Sequence, residues 1–137
     1  MTAKEYLKRA KMLNKEINTK QIELDGLRLN ATSISSPPTT EKVQSNGKND
    51  SMRTIDKIID LENTINLEID RLVDLKAEIR DKIAQTYNPI FISILTNIYI
   101  NNLSLEETAE LMEKDYRTIC RWHGQALQAF RKENNMV

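Results

Sequence analysis

One cysteine, one histidine, three glycines and three prolines are all that 137 residues offer of several types that build disulfides, turns and catalytic sites. A lone Cys120 forms no internal disulfide and suits a reducing, cytoplasmic setting. Aromatic residues make up 5% of the chain, too few for a sandwich or barrel, and the shortage of Gly and Pro points to helices. Neither sign of charge prevails, with 20 Lys and Arg against 20 Asp and Glu. No overall basic field therefore announces nucleic acid or an anionic membrane. The best apolar run, Ile90-Phe91-Ile92-Ser93-Ile94-Leu95, is far short of the roughly 20 residues that span a bilayer. The amino terminus is amphipathic and lacks the apolar centre of a secretion signal. With no HExxH, CxxC or glycine-rich loop, no enzymatic activity, cofactor or metal is expected. Cys120 and His123 have no companions at ligand or nucleophile spacing.

What is present is periodicity. Ala3, Tyr6, Ala10, Leu13, Ile17, Lys20, Leu24, Leu27 and Ala31 fall at the a and d positions of a heptad repeat, which predicts a long helix over residues 1 to 31. Thr2 and Glu5 form a capping box at its start. Residues 32–51, rich in Ser, Thr, Asn and Pro, read as a flexible loop. A second heptad run follows through Ile55, Ile58, Glu62, Ile65, Ile69, Leu72, Lys76, Ile79, Ile83 and Thr86, predicting a helix from Met52 to Thr86 that stops before Asn88-Pro89. The two seams fit antiparallel with facing positions totalling 82, which pairs Leu24 with Ile58 and Ile17 with Ile65. In that register Lys20 meets Glu62, and a lone polar pair of this kind fixes register. Ile59, Leu61, Val73 and Leu75 lie outside the seam. They predict a further contact, to the C-terminal domain or to a second copy in a homodimer.

From Asn88 onward the texture changes to three short helices. Asn88 caps the first, with Pro89 at its first position and Ile90, Ile94, Leu95 and Ile98 on its buried side. Ser104 and Glu107 make a capping box for a helix of two turns, Leu105 to Met112. Glu113-Lys114-Asp115 breaks it, and Asp115 opens a longer helix to about Lys132. A two-turn helix, a three-residue turn and a longer helix are the outline of a helix-turn-helix. Ala109 sits at the close crossing, and Ile119 and Trp122 face the shorter helix. Glu113 stands where glycine is usual, which predicts a left-handed backbone costing about 1 kcal/mol. The domain is polarised: four basic residues and no acid lie between Tyr116 and Lys132, while Glu106, Glu107, Glu110, Glu113 and Asp115 precede them. Arg contacts phosphate or guanine edges, Gln reads adenine, and the Thr methyl suits that of thymine.

The stretch Leu103-Ser-Leu-Glu-Glu-Thr-Ala-Glu-Leu-Met112, with Arg117-Thr-Ile-Cys-Arg-Trp-His-Gly-Gln-Ala-Leu127, resembles domain 4 of sigma-70-type factors, which reads the −35 promoter element. The chain as a whole is similar to small phage and prophage regulators of the RinA and ArpU type, which control late packaging and lysis genes. The resemblance rests on Met-Thr-Ala-Lys-Glu-Tyr-Leu7, Val43-Gln44-Ser45 and Glu68-Ile-Asp-Arg-Leu-Val-Asp-Leu75. The expected protein is thus all-α, with a helical hairpin over 1–88 and a helix-turn-helix domain over 89–137. Tyr116, Arg117, Thr118, Arg121 and Gln125 would face bases or nearby phosphates of double-stranded DNA, and Lys114, Arg131 and Lys132 would hold its backbone. The resemblance implies host RNA polymerase as a further partner. Two rivals are a small-terminase-like packaging protein, whose usual domain order is the reverse of this one, and a coiled-coil interaction module that reads no DNA.

Overall fold

In a computed structural model, which describes residues 1–34 and 44–136, every regular element is helical. The elements are α1 (Ala3–Ile34), α2 (Gln44–Ala84), α3 (Pro89–Leu95) running on into a wide turn (Thr96–Ile100), α4 (Leu105–Leu111) and α5 (Tyr116–Glu133). Among the described residues no helix is long and apolar enough to cross a membrane. The loop expected over 32–51 is shorter at both ends, because α1 continues to Ile34 and α2 begins at Gln44. The rest of that expectation lies outside the described residues. Packing divides the chain at places other than residue 88: one unit joins residues 1–14 to 72–137, and the other is residues 15–71.

In the first unit the start of α1 is fixed by the predicted capping box. Thr2 Oγ1 accepts from the Glu5 amide at 3.2 Å, and Glu5 Oε2 from the Thr2 amide at 2.9 Å. The next turn buries Ala3, Tyr6, Leu7 and Ala10. Tyr6 carries most of the contacts: its ring lies 6.0 Å from that of Phe130 on α5, and its hydroxyl donates to Glu78 on α2. The Lys82 ammonium and Arg9 guanidinium sit 5.0 and 5.3 Å from the ring centre, each an attraction of about 0.5–1 kcal/mol. α2 ends at Ala84, and Tyr87 turns the chain with φ 52°. Asn88 then caps α3, its Oδ1 accepting from Ile90 and Phe91 at 2.9 and 3.3 Å.

Ile90 departs from expectation, being exposed while Ile94, Leu95 and Ile98 are buried. After Leu95 the chain makes a wide turn: the Asn101 amide bonds back to the Thr96 carbonyl at 2.9 Å, five residues earlier. That extra residue turns Ile98, Tyr99 and Ile100 all toward the core, which one face of a regular α-helix cannot do. α3 and α4 both pack against α5.

In the second unit α1 buries Ile17 and Leu24, and α2 buries Ile65. The polar pairing differs from the expected one. Lys20 pairs with Glu68, and Glu62 pairs instead with Arg28 at 2.9 Å. While the Tyr6–Glu78 bond between the same helices totals 84, these ion pairs total 88 and 90, closer to the register one heptad away from 82. That register would set Lys20 against Ile69. Glu68, its neighbour, fills the place instead, with 13% of its side chain exposed, while Ile69 is left 41% exposed. Long side chains thus satisfied both charges by reaching past the seam.

A double-mutant cycle distinguishes the two registers. Lys20→Met combined with Glu68→Gln should show coupling of about 1 kcal/mol or more in urea unfolding, since both groups are mostly shielded. The same cycle on Lys20 and Glu62 should give none. Coupling confined to Lys20 and Glu62 would restore the register of 82.

Candidate nucleic-acid interface

The interface is built by the way α4 starts and stops. Ser104 Oγ accepts from the Glu107 amide and Glu107 Oε1 from the Ser104 amide, both at 3.0 Å. These bonds hold the Glu107 carboxyl below its ordinary range and satisfy two donors that a helix start leaves open. Six residues after Glu107, Glu113 adopts φ 56°. The Lys114 amide bonds to Ala109 O at 3.0 Å and the Glu113 amide to Glu110 O at 3.2 Å, the paired closure of a left-handed helix stop. The chain thus turns within three residues, and Ala109, 5% exposed, leaves room for α5 to pack closely. Thr108 beside it is fully buried, and its hydroxyl has no partner.

Asp115 opens α5 with an extended backbone, φ −74° and ψ 157°. Its side chain does not cap the helix amides as expected. It accepts instead from the Thr118 hydroxyl, and this bond is the main cause that lowers the Asp115 carboxyl's proton affinity. The inner side of α5 buries Ile119, Ala126 and Phe130. Arg117, Arg121, Gly124, Gln128 and Arg131 recur at three- and four-residue spacing on the opposite, exposed side, which makes them one stripe. Gln125 and Lys132 are exposed beside it. Nothing lies within 4 Å of where a Gly124 side chain would begin, so the stripe is shallow at its middle. Asn135, at φ 53°, closes the far end.

Three predicted site residues lie off this stripe. Lys114 sits in the turn with its ammonium 5.9 Å from the Trp122 ring centre. Tyr116 is 49% exposed and lies beside Cys120 on the next stripe of α5, where that contact raises the phenol's proton affinity. Thr118 is half-buried and spends its hydroxyl on Asp115, leaving its methyl as the group able to meet a base.

The contact with no signal in the sequence is that of His123. Its Nε2 lies 2.8 Å from the Tyr99 hydroxyl, with the rings 5.8 Å apart. Burial pushes the Tyr99 phenol up to about 12. Burial also lowers the His123 pKa, and the nearby Lys4 and Lys11 of α1 lower it further. The neutral imidazole and the phenol share one hydrogen bond, which joins α5 to the wide turn after α3. Only the buried position of Tyr99, which the turn creates, makes the pair possible.

No protein-family model matches the chain, and no curated protein or solved structure matches it.

The His123 bond has a pH signature. An unfolded His titrates near 6.5, and in the fold this one titrates lower. Its contribution to stability is whole above about 6.5 and is lost as pH falls through the folded value. The melting temperature should therefore drop between pH 7 and pH 5, above the range of the carboxylates. His123→Gln should flatten that drop, since the chain has no other His. Equal slopes in both proteins would place the titration elsewhere.

Proposed function

We propose that this chain is a sequence-specific DNA-binding regulator of transcription, in which an antiparallel helical hairpin carries a C-terminal helix-turn-helix. The observation that carries the reading is the exposed side of α5. Arg117 and Arg121 project from its first half, no acid interrupts the face before Lys132, and α5 follows a capped two-turn helix through a left-handed turn. A recognition helix presents its first half to base edges in the major groove. Arg117, Arg121 and Gln125 then read bases, with the Thr118 methyl and Tyr116 at the edge of the contact. Arg131, Lys132 and Lys114 hold phosphates. The resemblance to sigma-70 domain 4 and to phage late-gene regulators favours a promoter as the site and RNA polymerase as a partner. Nothing in this scheme calls for an enzymatic step or a cofactor.

Ile59 and Val73, 49% and 61% exposed, support a homodimer, the default closed assembly. Ile59→Glu with Val73→Glu should convert a dimer seen by light scattering into a folded monomer. A wild type that is already monomeric at tens of micromolar, a regime where weak dimers persist, removes the dimer. A ring of many subunits would favour the packaging reading.

The reading itself is tested by selecting a duplex from a random pool and titrating variants at two salt concentrations. Arg117→Ala and Arg121→Ala should each cost about 1–3 kcal/mol on the selected site. Lys132→Ala should weaken all sequences alike, because phosphate carries no base information. Gly124→Ala should stabilise the fold by about 0.5–1 kcal/mol and yet weaken binding, since the added methyl stands where DNA approaches. If no duplex is enriched, or both Arg variants bind as wild type, the DNA-reading assignment fails.

A further inference from the structure

The phosphate-holding charge on α5 is modest for a protein of zero net charge. α4, which packs against α5, is acidic, carrying Glu106, Glu107 and Glu110. A second source of positive charge lies in the same packing unit. Residues 1–14 contain Lys4, Lys8, Arg9 and Lys11 against a single acid, Glu5. Lys4, Lys8 and Lys11 recur at i, i+4 and i+7 and so form one stripe along α1. Arg9 points to the other side, over the Tyr6 ring and toward Glu78 at 3.8 Å.

The stripe's place beside α5 is set by packing. Tyr6 lies against Phe130, Leu7 is fully buried, and Ala3 and Ala10 are buried to either side. The first three turns of α1 are thus held against the C-terminal helices, with Lys4 and Lys8 exposed and Lys11 half-exposed. On α5, Tyr116, Cys120, His123 and Leu127 form the stripe bordering Arg117, Arg121 and Gln128. It is His123 on this border that feels the charges of Lys4 and Lys11. The lysines thus lie on the exposed side of the segment of α1 whose buried side packs against α5.

We infer that Lys4, Lys8 and Lys11 form a second phosphate-binding stripe, holding the backbone of the same DNA duplex whose bases α5 reads, outside the base-read segment. The inference rests on the DNA-reading proposal above. Lysine suits such a contact because its ammonium, on a flexible stem, is a point charge that meets phosphate without demanding base geometry. The affinity of a neutral chain for DNA then comes from two basic strips on two helices.

The test uses the full chain and the selected duplex, in a long form and in a form trimmed at both ends to the base-read segment. Each neutralised phosphate contributes about 0.9 to the slope of log Kd against log salt. The triple variant Lys4→Gln, Lys8→Gln, Lys11→Gln should bind the long duplex at least tenfold more weakly, with a slope reduced by about 2 to 3 and an unchanged sequence preference. Wild type should lose affinity on the trimmed duplex, and the triple variant should not. Lys→Arg at all three positions keeps the charge and should bind as wild type, which separates a charge effect from damage to α1; melting curves of both variants check the fold. A triple variant with wild-type affinity and slope on the long duplex overturns this inference while the Arg117 and Arg121 results leave DNA reading standing. A weakened triple variant accompanied by an equally weakened Lys→Arg variant also overturns it, since charge is then not the cause. A wild type that enriches no duplex overturns both.

Discussion

A buried phenol must find a partner for its hydroxyl or forfeit part of what its ring gains by burial. Tyr6 meets that demand at a point where three helices converge, and the arrangement of the first unit follows from it. Its hydroxyl donates to Glu78 of α2, its ring meets Phe130 of α5, and Arg9 and Lys82 place their charges near the ring. Arg9 also approaches Glu78 at 3.8 Å, so the carboxylate that accepts the phenol proton has a cation beside it. Burial and this acceptor together keep the phenol protonated far above its ordinary range. With Phe130 anchored in this way, α5 has a fixed inner side, and the arginines on its outer side acquire a fixed direction.

Charge is then sorted by helix rather than by net balance. The acids of the C-terminal region sit in α4 and the turn after it, where Glu106 and Glu107 also suit the positive end of the helix. The bases sit on α5, with Arg131 and Lys132 in its last turn, where cations are favoured for the complementary reason. Helix electrostatics alone would produce part of this pattern. They do not account for Arg117 and Arg121, which lie in the first half of α5. Arg117 lies in the first turn, against the local preference, while Arg121 lies beyond that turn and shares the field of Asp115; under the proposed reading DNA phosphates supply a further anion to both.

Caps and seams were legible in the sequence because they depend on residues within one helical turn. Thr2 with Glu5, Asn88 with Pro89, Ser104 with Glu107 and the left-handed Glu113 all follow from local chemistry. So do the buried seam residues Tyr6, Ala10, Ile17 and Leu24. The register of α1 on α2 was not legible. A constant total places a and d positions opposite one another, but it ignores the reach of Lys20 and Arg28, whose heads find Glu68 and Glu62 away from the facing position. The buried Tyr99 was missed for a different reason, since one wide turn shifts the helical phase and no residue type announces it. At the candidate interface the spacing of Arg117 and Arg121 could be read directly. Tyr116, Lys114 and Thr118 could not be placed, because Cys120, Trp122 and Asp115 engage them. The lysines of α1 carried a signal, their three- and four-residue spacing, which lay outside the apolar seam.

Three departures from local stability fall within residues 108–124. Thr108 buries a hydroxyl without a partner, Glu113 holds a left-handed backbone without being glycine, and Gly124 interrupts a helix where a methyl would meet nothing. Each costs on the order of 1 kcal/mol, a sizeable fraction of the few kcal/mol that hold a domain of this size. The left-handed Glu113 closes α4 and turns the chain into α5, whereas nothing in the packing calls for the other two. Gly26, equally open in α1, shows that one such residue can be carried without consequence. Departures of the same kinds also occur elsewhere, at the left-handed Tyr87, Asn102 and Asn135 and at the unpartnered Glu68 Oε2. Local rules tend to be broken where a surface serves something outside the fold. Of the three, Glu113 shapes the turn before α5 and Gly124 its outer side, where Arg117 and Arg121 also lie, while Thr108 is buried in α4. Two of these costs, at Glu113 and Gly124, thus fall on the turn and the outer side that the proposed reading sets against DNA.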